Sequence, residues 1–483
     1  MIKLLSNNIQ LMKFKIFLLI LSFFYFLNLT SCSEEREQFP VNSFNKLEEY
    51  IQNREDFSYQ LEDSLKIDKA TLYRFKMYSG KWLTKEEVNE PLWWHWIDLI
   101  VPDKIDTKTA LLFIGPGSKE DNRQYLDSLS IQKAIENKSI VSHISNVPYQ
   151  PLRFLDSDSI ARYEDNLIAY GWNKFLTNGA LEKDFEWLAR FPMTRAVVRA
   201  MDVIQEFTKS EKYAVKDFFI SGASKRGWTT WTTAAVDKRV MGMAPVVIDL
   251  LNLIPSFEHH YRLYGDWSPA IQDYIDFGIM NWMQNPAFKK LLSFVEPYEF
   301  KERFTIPKLI INGTIDEFFA TDSWKFYWND LPGDKYLQYV PNGNHGLLGS
   351  YQIQNIFSFY NRLIHNKDLP KMDWEIVDDT FKLNLNLNIP YEINLWYCTN
   401  PNARDFRIWE VGRSWKKEAL AKKSTGNYEI KAPKKEGYTA SLVEVIFYPE
   451  SSSPIILTTG TKVLPDIYDF NSYSSLKSPP DKN

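Results

Sequence analysis

The sequence predicts an α/β fold: a doubly wound, mostly parallel sheet with a helical cap insertion and a small antiparallel β domain at its C-terminal end. Three observations carry this. Apolar runs that do not alternate, and so suit strands buried on both faces, recur between stretches of helical periodicity, the pattern of a parallel sheet with right-handed crossovers. One run passes through a Gly-x-Ser turn straight into helix: Asp217-Phe218-Phe219-Ile220-Ser221-Gly222-Ala223-Ser224-Lys225-Arg226-Gly227-Trp228. From Lys371 onward no long helix competes and strand patterns take over, Phe381-Lys382-Leu383-Asn384-Leu385-Asn386-Leu387 alternating strictly as a half-exposed strand does.

At 483 residues, 44% of them hydrophobic, the chain has room for a large core and two or three domains. A formal charge of -4 gives no electrostatic reason to expect nucleic acid as a partner. The aromatics (16 Trp, 26 Tyr, 32 Phe) are read mainly as core, with a minority free to line a cleft.

Residues 1–32 read as an export signal. Lys3, Lys13 and Lys15 form a basic start, and Ile16–Leu29 is an apolar run shorter than the ~20 residues a spanning helix needs. Leu29-Thr30-Ser31-Cys32 resembles the bacterial lipoprotein signal, with Cys32 as the lipidation site and new N-terminus; Met12 is an alternative start. This places the protein in the bacterial cell envelope, lipid-anchored to a membrane, and the acidic Glu34-Glu35 points to the outer membrane or surface. With Cys32 acylated, Cys398 has no intrachain partner. No Cys/His cluster has metal spacing, so neither metal nor cofactor is expected, and His259-His260 reads as a polar helix face.

The remaining chain divides as follows. Residues 33–90 form a polar tether and N-terminal extension, with helical periodicity over Phe44–Ile51 and strand character near Ala70–Tyr78. Residues 91–370 form the α/β domain. Its strands are Trp93–Pro102, Thr109–Ile114, Ser139–Val147, Asp217–Ala223, Val240–Val247, Lys308–Gly313 and Tyr336–Val340; its helices include Arg162–Phe175 and Met193–Phe207. A mostly helical insertion at about 255–304 holds Tyr261, Tyr264, Trp267, Tyr274 and Trp282 and reads as a cap. Residues 371–465 are the β domain, and 466–483 a polar, disordered tail.

A nucleophile elbow needs a strand, a sharp turn carrying an exposed serine, and a helix, with small residues where the two elements pass closely. Gly222 meets that need. Arg226 stands where a second glycine is usual, and Gly227 follows one position later. Alone, this pattern also fits an ordinary strand-to-helix turn. The later loops decide between them. A serine nucleophile needs a base and an acid to orient it, in the chain order Ser, Asp or Glu, His, each just past a strand. Thr314-Ile315-Asp316-Glu317 follows one strand and Pro341-Asn342-Gly343-Asn344-His345-Gly346 the next. Ser224, Asp316 and His345 are therefore the expected triad. Asp249, past the preceding strand, is the alternative acid, with Glu317 and Asp322 weaker rivals; His365 reads as a surface residue of a helix. The oxyanion donors are expected at the Lys225 backbone N–H and in Gly115-Pro116-Gly117-Ser118. Pro116 has no N–H, so Gly117 or a neighbour supplies the second. The Lys225 side chain reads as solvated. The order defines an α/β-hydrolase.

Gly222-Ala223-Ser224-Lys225-Arg226-Gly227-Trp228-Thr229, Pro192-Met193-Thr194-Arg195-Ala196, Asn312-Gly313-Thr314-Ile315-Asp316-Glu317-Phe318-Phe319, Pro341-Asn342-Gly343-Asn344-His345-Gly346 and Asp405-Phe406-Arg407 together resemble the PhoPQ-activated pathogenicity-related protein family, from about Leu92 to Gly437. The resemblance implies an α/β-hydrolase fold and the same triad, and makes Arg226 the normal residue at its position. Ile114-Gly115-Pro116-Gly117 departs from the expected Thr-Gly-Gly-like sequence. The function expected is an exported serine hydrolase that cleaves an ester or amide through an acyl-enzyme, with the cap aromatics shaping the pocket. The alternatives are a glucuronoyl-type carbohydrate esterase, a peptidase, or a non-catalytic surface binding or signalling module. Neither the oligomeric state nor the substrate follows from the sequence.

Overall fold

The computed structural model describes residues 42–121, 127–156, 158, 160–347 and 349–474. The expected signal segment, Cys32 and the start of the tether lie outside the described residues. None of the described helices is long and apolar enough to cross a membrane.

A nine-stranded sheet forms the centre. Its strands are β1 (Ser58–Ile67), β2 (Ala70–Lys81), β3 (Leu92–Pro102), β4 (Thr109–Ile114), β5 (Val141–Ile144), β6 (Asp217–Ala223), β7 (Val240–Val246), β8 (Lys308–Gly313) and β9 (Lys335–Val340), in the order β1-β2-β3-β5-β4-β6-β7-β8-β9. From β5 to β9 every pairing is parallel. The first three strands are a meander in which β3 runs antiparallel to both β2 and β5. Two expectations change here. The sheet begins at Ser58, inside what reads as an N-terminal extension. And β3, apolar except at His95 and Asp98, is antiparallel: its inner residues Ile97 and Leu99–Ile100 are fully buried, and burial on both faces, not strand direction, sets such a run.

Helix α1 (Asn42–Gln52) precedes the first strand, and the crossover helices α2 (Ser128–Asn137), α3 (Glu164–Thr177), α4 (Arg190–Thr208) and α5 (Lys225–Val236) pack around this sheet. The helix after the serine, α5, is buried along almost its whole length, Trp228 and Trp231 included, so it is held by packing and not by amphipathic balance. Between β7 and β8 the chain rises into the cap, with α6 (Leu253–Tyr264) and α7 (Pro286–Val295) as its longest helices. Gly265, in the left-handed region at φ 71°, stops α6 by donating its N–H to Tyr261.

After α8 (Gln352–Ile364) come two small antiparallel sheets. One holds β10 (Met372–Val377), β11 (Thr380–Leu385) and β14 (Asn427–Lys431). The other holds β12 (Tyr391–Asn400), β13 (Lys416–Ala419), β15 (Tyr438–Phe447), β16 (Ile455–Thr458) and β17 (Lys462–Leu464). Asn355 of α8 ties this second small sheet to β9 of the central one: its Nδ2 donates to the Ile456 carbonyl at 2.8 Å and to Gln338 Oε1 at 2.7 Å, and its Oδ1 accepts from the Ile456 N–H at 3.0 Å.

Residues 466–474, expected to begin a disordered tail, instead pack on the cap. Tyr468 Oη meets His259 Nδ1 at 2.9 Å, the Phe470 N–H donates to the Arg262 carbonyl, and the Tyr473 ring packs on Tyr261 and Trp267. Their polar neighbours mask three aromatics that bury surface here. His259 and His260 are also not a polar face: both are buried. His259 Nε2 bonds Asp322 at 2.7 Å, and His260 Nε2 accepts the Ser268 N–H. Burial pulls both imidazoles below their ordinary pKa.

Asp322 sits at the centre of this junction. Lys325, His259 and Arg404 all reach it, and Arg404, whose side chain is 1% exposed, also bonds Asp466 and the Ile467 carbonyl. Burial alone would raise the Asp322 pKa, but its cationic neighbours hold it well below the usual carboxylate range. Replacing Arg404 by Met leaves Asp322 with Lys325 alone as a permanent cation. The expected loss is about 3 kcal/mol, the low end for breaking a buried pair, read as a lowered midpoint in urea denaturation.

Candidate active site

The site is built at the C-terminal ends of the parallel strands. β6 ends at Ala223, and Ser224 takes φ 57° and ψ -125° before α5 begins at Lys225. Such a backbone is costly for a residue with a side chain and persists only where its surroundings enforce it. Two close approaches do so. A Cβ on Gly222 would stand 2.6 Å from the Arg226 carbonyl oxygen, and one on Gly227 would stand 2.8 Å from the Val246 carbonyl oxygen. The Ser224 N–H donates to that same Val246 carbonyl at 2.8 Å, fastening the turn to the end of β7.

Parallel pairing of β8 with β9 brings the next two loops alongside the turn. Ser224 Oγ lies 2.8 Å from His345 Nε2, and His345 Nδ1 lies 2.9 Å and 3.1 Å from the two Asp316 oxygens. Asp316 is buried and also accepts the Phe318 N–H at 2.7 Å, which fixes its plane. The His345 N–H donates to Glu317 at 2.8 Å, so Glu317 positions the histidine loop. The Phe318 ring lies over the imidazole, centroids 4.1 Å apart. Asp249 is elsewhere. Its oxygens take the hydroxyls of Tyr327 and Tyr339, and among the described residues it has no contact with His345. Burial, only partly offset by those hydrogen bonds, pushes Asp249 up to about 7. Asp322 is committed to the cap junction.

The first N–H groups of α5 have no partner within the helix and carry its positive dipole end. The Lys225 N–H, next to Ser224, is one of them. Its side chain is not solvated. Lys225 is 8% exposed, and its Nζ lies 2.9 Å from Glu164 and 2.9 Å from Asp165. Gly117 turns at φ 132°, and its carbonyl accepts Gln150 Nε2 at 2.8 Å. Gln150 also donates to Glu164, and Glu164 pairs with Arg226. The glycine loop is thus tied to the elbow through Gln150, Glu164 and Arg226. Burial would raise Glu164, but the Arg226 hydrogen bond and charge, with Lys225, bring it down to about 2.

Sequence reasoning missed this backing. Glu164 stands 62 positions before Arg226, and nothing local marks it except its place at the start of a helix. A small cavity of about 40 Å³ opens beside Ser224 under the cap. Trp228, Leu253, Phe257, Tyr274, Met280 and Phe318 are among its walls. A second cavity reaches His345 from the β4 side, past Gly115 and Pro116. No cluster of three or more metal-ligating side chains occurs among the described residues.

The sheet order, the antiparallel start and the strained serine turn leading into a buried helix define an α/β-hydrolase fold. A family model matches residues 47–407, and the chain belongs to the PhoPQ-activated pathogenicity-related protein family. Among its relatives is the autocrine proliferation repressor protein A of Dictyostelium discoideum, 32% identical over 463 residues, 89% of this chain and 92% of that one. Similar solved structures include the acetyl xylan esterase of Paenibacillus sp. R4 (13% identity, 68% of this chain and 96% of that one, TM-score 0.48). The acetyl xylan esterase 1 of Thermoanaerobacterium sp. JW/SL YS485 matches similarly (13%, 66% and 92%, TM-score 0.47). At these scores the likenesses carry nothing about activity.

Asp249 makes stability depend on pH. Its folded pKa, about 7, lies above the ordinary 3.8. Between the two the folded protein holds one more proton than the unfolded chain, so its contribution is complete below pH 4 and lost as pH rises through 7. Asp249→Asn is expected to remove one proton's worth of slope, about 1.4 kcal/mol per pH unit, from urea denaturation series between pH 5 and 7. Glu296, pushed up to about 8 by burial, leaves a residual slope of the same sign.

Proposed function

We propose that the protein is a serine hydrolase that cleaves an ester or amide through an acyl-enzyme. The observation that carries this is the unbroken chain of hydrogen bonds Ser224–His345–Asp316 at a strained elbow beside an apolar cavity. Ser224 Oγ attacks the carbonyl carbon while His345 Nε2 takes its proton; Asp316 holds Nδ1–H and stabilises the imidazolium. The oxygen of the tetrahedral intermediate is stabilised by the Lys225 N–H and a donor of the Gly115–Ser118 loop, Gly117 or its neighbour. His345 then returns the proton to the leaving group, and water, activated by the same histidine, releases the acid. No cofactor enters. Carbohydrate esters and peptides are the competing substrate classes.

Cys32 is proposed as a lipid-bearing N-terminus that anchors the enzyme in a bacterial envelope; the sequence around it is the support, and sensitivity of processing to globomycin is the test. A second reading, a signalling module with an unused site, draws on the repressor named among the relatives.

Fluorophosphonate labelling decides between them. The wild type is expected to label and Ser224→Ala to lose it. Asp316→Asn is expected to slow ester or amide turnover by about 10⁴-fold while the fold is kept, and Asp249→Asn to retain labelling. A folded wild type that does not label removes the hydrolase reading.

A further inference from the structure

The cavity beside Ser224 is apolar on most sides but ends in charge. Three cations gather there, Arg190, Lys225 and Arg226, with two carboxylates, Glu164 and Asp165. Lys225 is shared by both carboxylates, and Arg226 takes Glu164 and the Val147 carbonyl. Asp165 spends its other oxygen on the Tyr274 hydroxyl at 3.1 Å. The carboxylates are therefore used up, and one positive charge is left over.

That charge is Arg190. It is 3% exposed, lines the cavity, and makes no ion pair among the described residues. Nη1 donates to the Lys225 carbonyl at 2.8 Å, the guanidinium lies 4.5 Å from the centroid of the Trp228 ring, and Nε is buried with no hydrogen-bond partner. Burial depresses its pKa, and the nearby Tyr274 and Asp165 oppose that only in part. A buried cation with an unmet donor is expensive to keep. A guanidinium offers planar, paired donors that suit a carboxylate.

We infer that Arg190 is a specificity-determining residue, and that the cavity takes a substrate whose acyl part is a short apolar chain or ring carrying a carboxylate. The apolar walls take the body of the group, the Arg190 N–H groups left free donate to its carboxylate oxygens, and the reacting carbonyl is left at Ser224. A neutral acyl group of the same size fills the walls but leaves Arg190 uncompensated. The inference rests on the hydrolase reading for the fate of the bound group, though not for its binding.

Binding is measured first, on the Ser224→Ala protein, by calorimetry with valerate and its uncharged analogue valeramide. The expected result is valerate binding at least about tenfold tighter, the scale of one charge-assisted hydrogen-bond pair, with Arg190→Met in the same background erasing the difference. Equal binding of the two, or a preference that survives in R190M, overturns the inference; if R190M does not fold, the comparison in the single Ser224→Ala variant decides alone. On the active protein, kcat/KM for monomethyl glutarate is compared with that for methyl valerate, and R190M is expected to lower this ratio about tenfold. A residue that only supports the elbow would lower both rates and leave the ratio intact. Fluorophosphonate labelling separates the two hypotheses. Valerate binding without labelling removes the hydrolase and keeps the anion pocket, whereas labelling without a valerate preference does the reverse.

Discussion

The backbone of Ser224 is the constraint on which the rest depends. A residue with φ 57° and ψ -125° is held there by what cannot move: the Val246 carbonyl against Gly227, the Arg226 carbonyl against Gly222, and the ion pair of buried Arg226 with half-buried Glu164 behind them. The strain is local, but its support is not. It draws on β7 through Val246, on the segment after β5 through Val147, and on α3 through Glu164. A serine on an ordinary turn could swing away from its histidine; here one geometry is enforced from three directions, which is what preorganisation means in physical terms.

What the sequence makes legible follows from how local each signal is. The loops of Ser224, Asp316 and His345 each come directly after an apolar strand and carry Gly or Asn at the turn, so their positions can be read one at a time. Their meeting is a property of parallel pairing among β6, β8 and β9, which the alternation of strands and helices implies. The buried charges are different. Lys225 looks solvated because a lysine usually is, and its partners Glu164 and Asp165 lie some sixty residues away with no pattern to link them. The same applies to His259, whose ring nitrogens meet Asp322 and Tyr468, and to His260, which meets Ser268 and Trp267.

Where the sequence misleads, it does so for a stated physical reason. β1 escapes notice because an edge strand is only half-covered: it is exposed over most of its length and lacks the apolar run of an inner strand. The stretch after Pro465 looks featureless because its three anchoring rings are spaced by polar residues. Buried surface depends on what lies opposite, and composition alone is blind to that.

The closing contacts of the chain also set an order in time. The cap helix that carries His259 is made 209 residues before the tyrosine that pins it. A ribosome releases Ser224, Asp316 and His345 well before Tyr468 and Tyr473 appear. During synthesis, then, the triad loops can assemble under a cap that still lacks its last fastening. The fastening of the cap belongs in part to residues 466–474, and a chain cut short after β17 would carry the reacting groups without the contacts that Tyr468 and Tyr473 make on the cap.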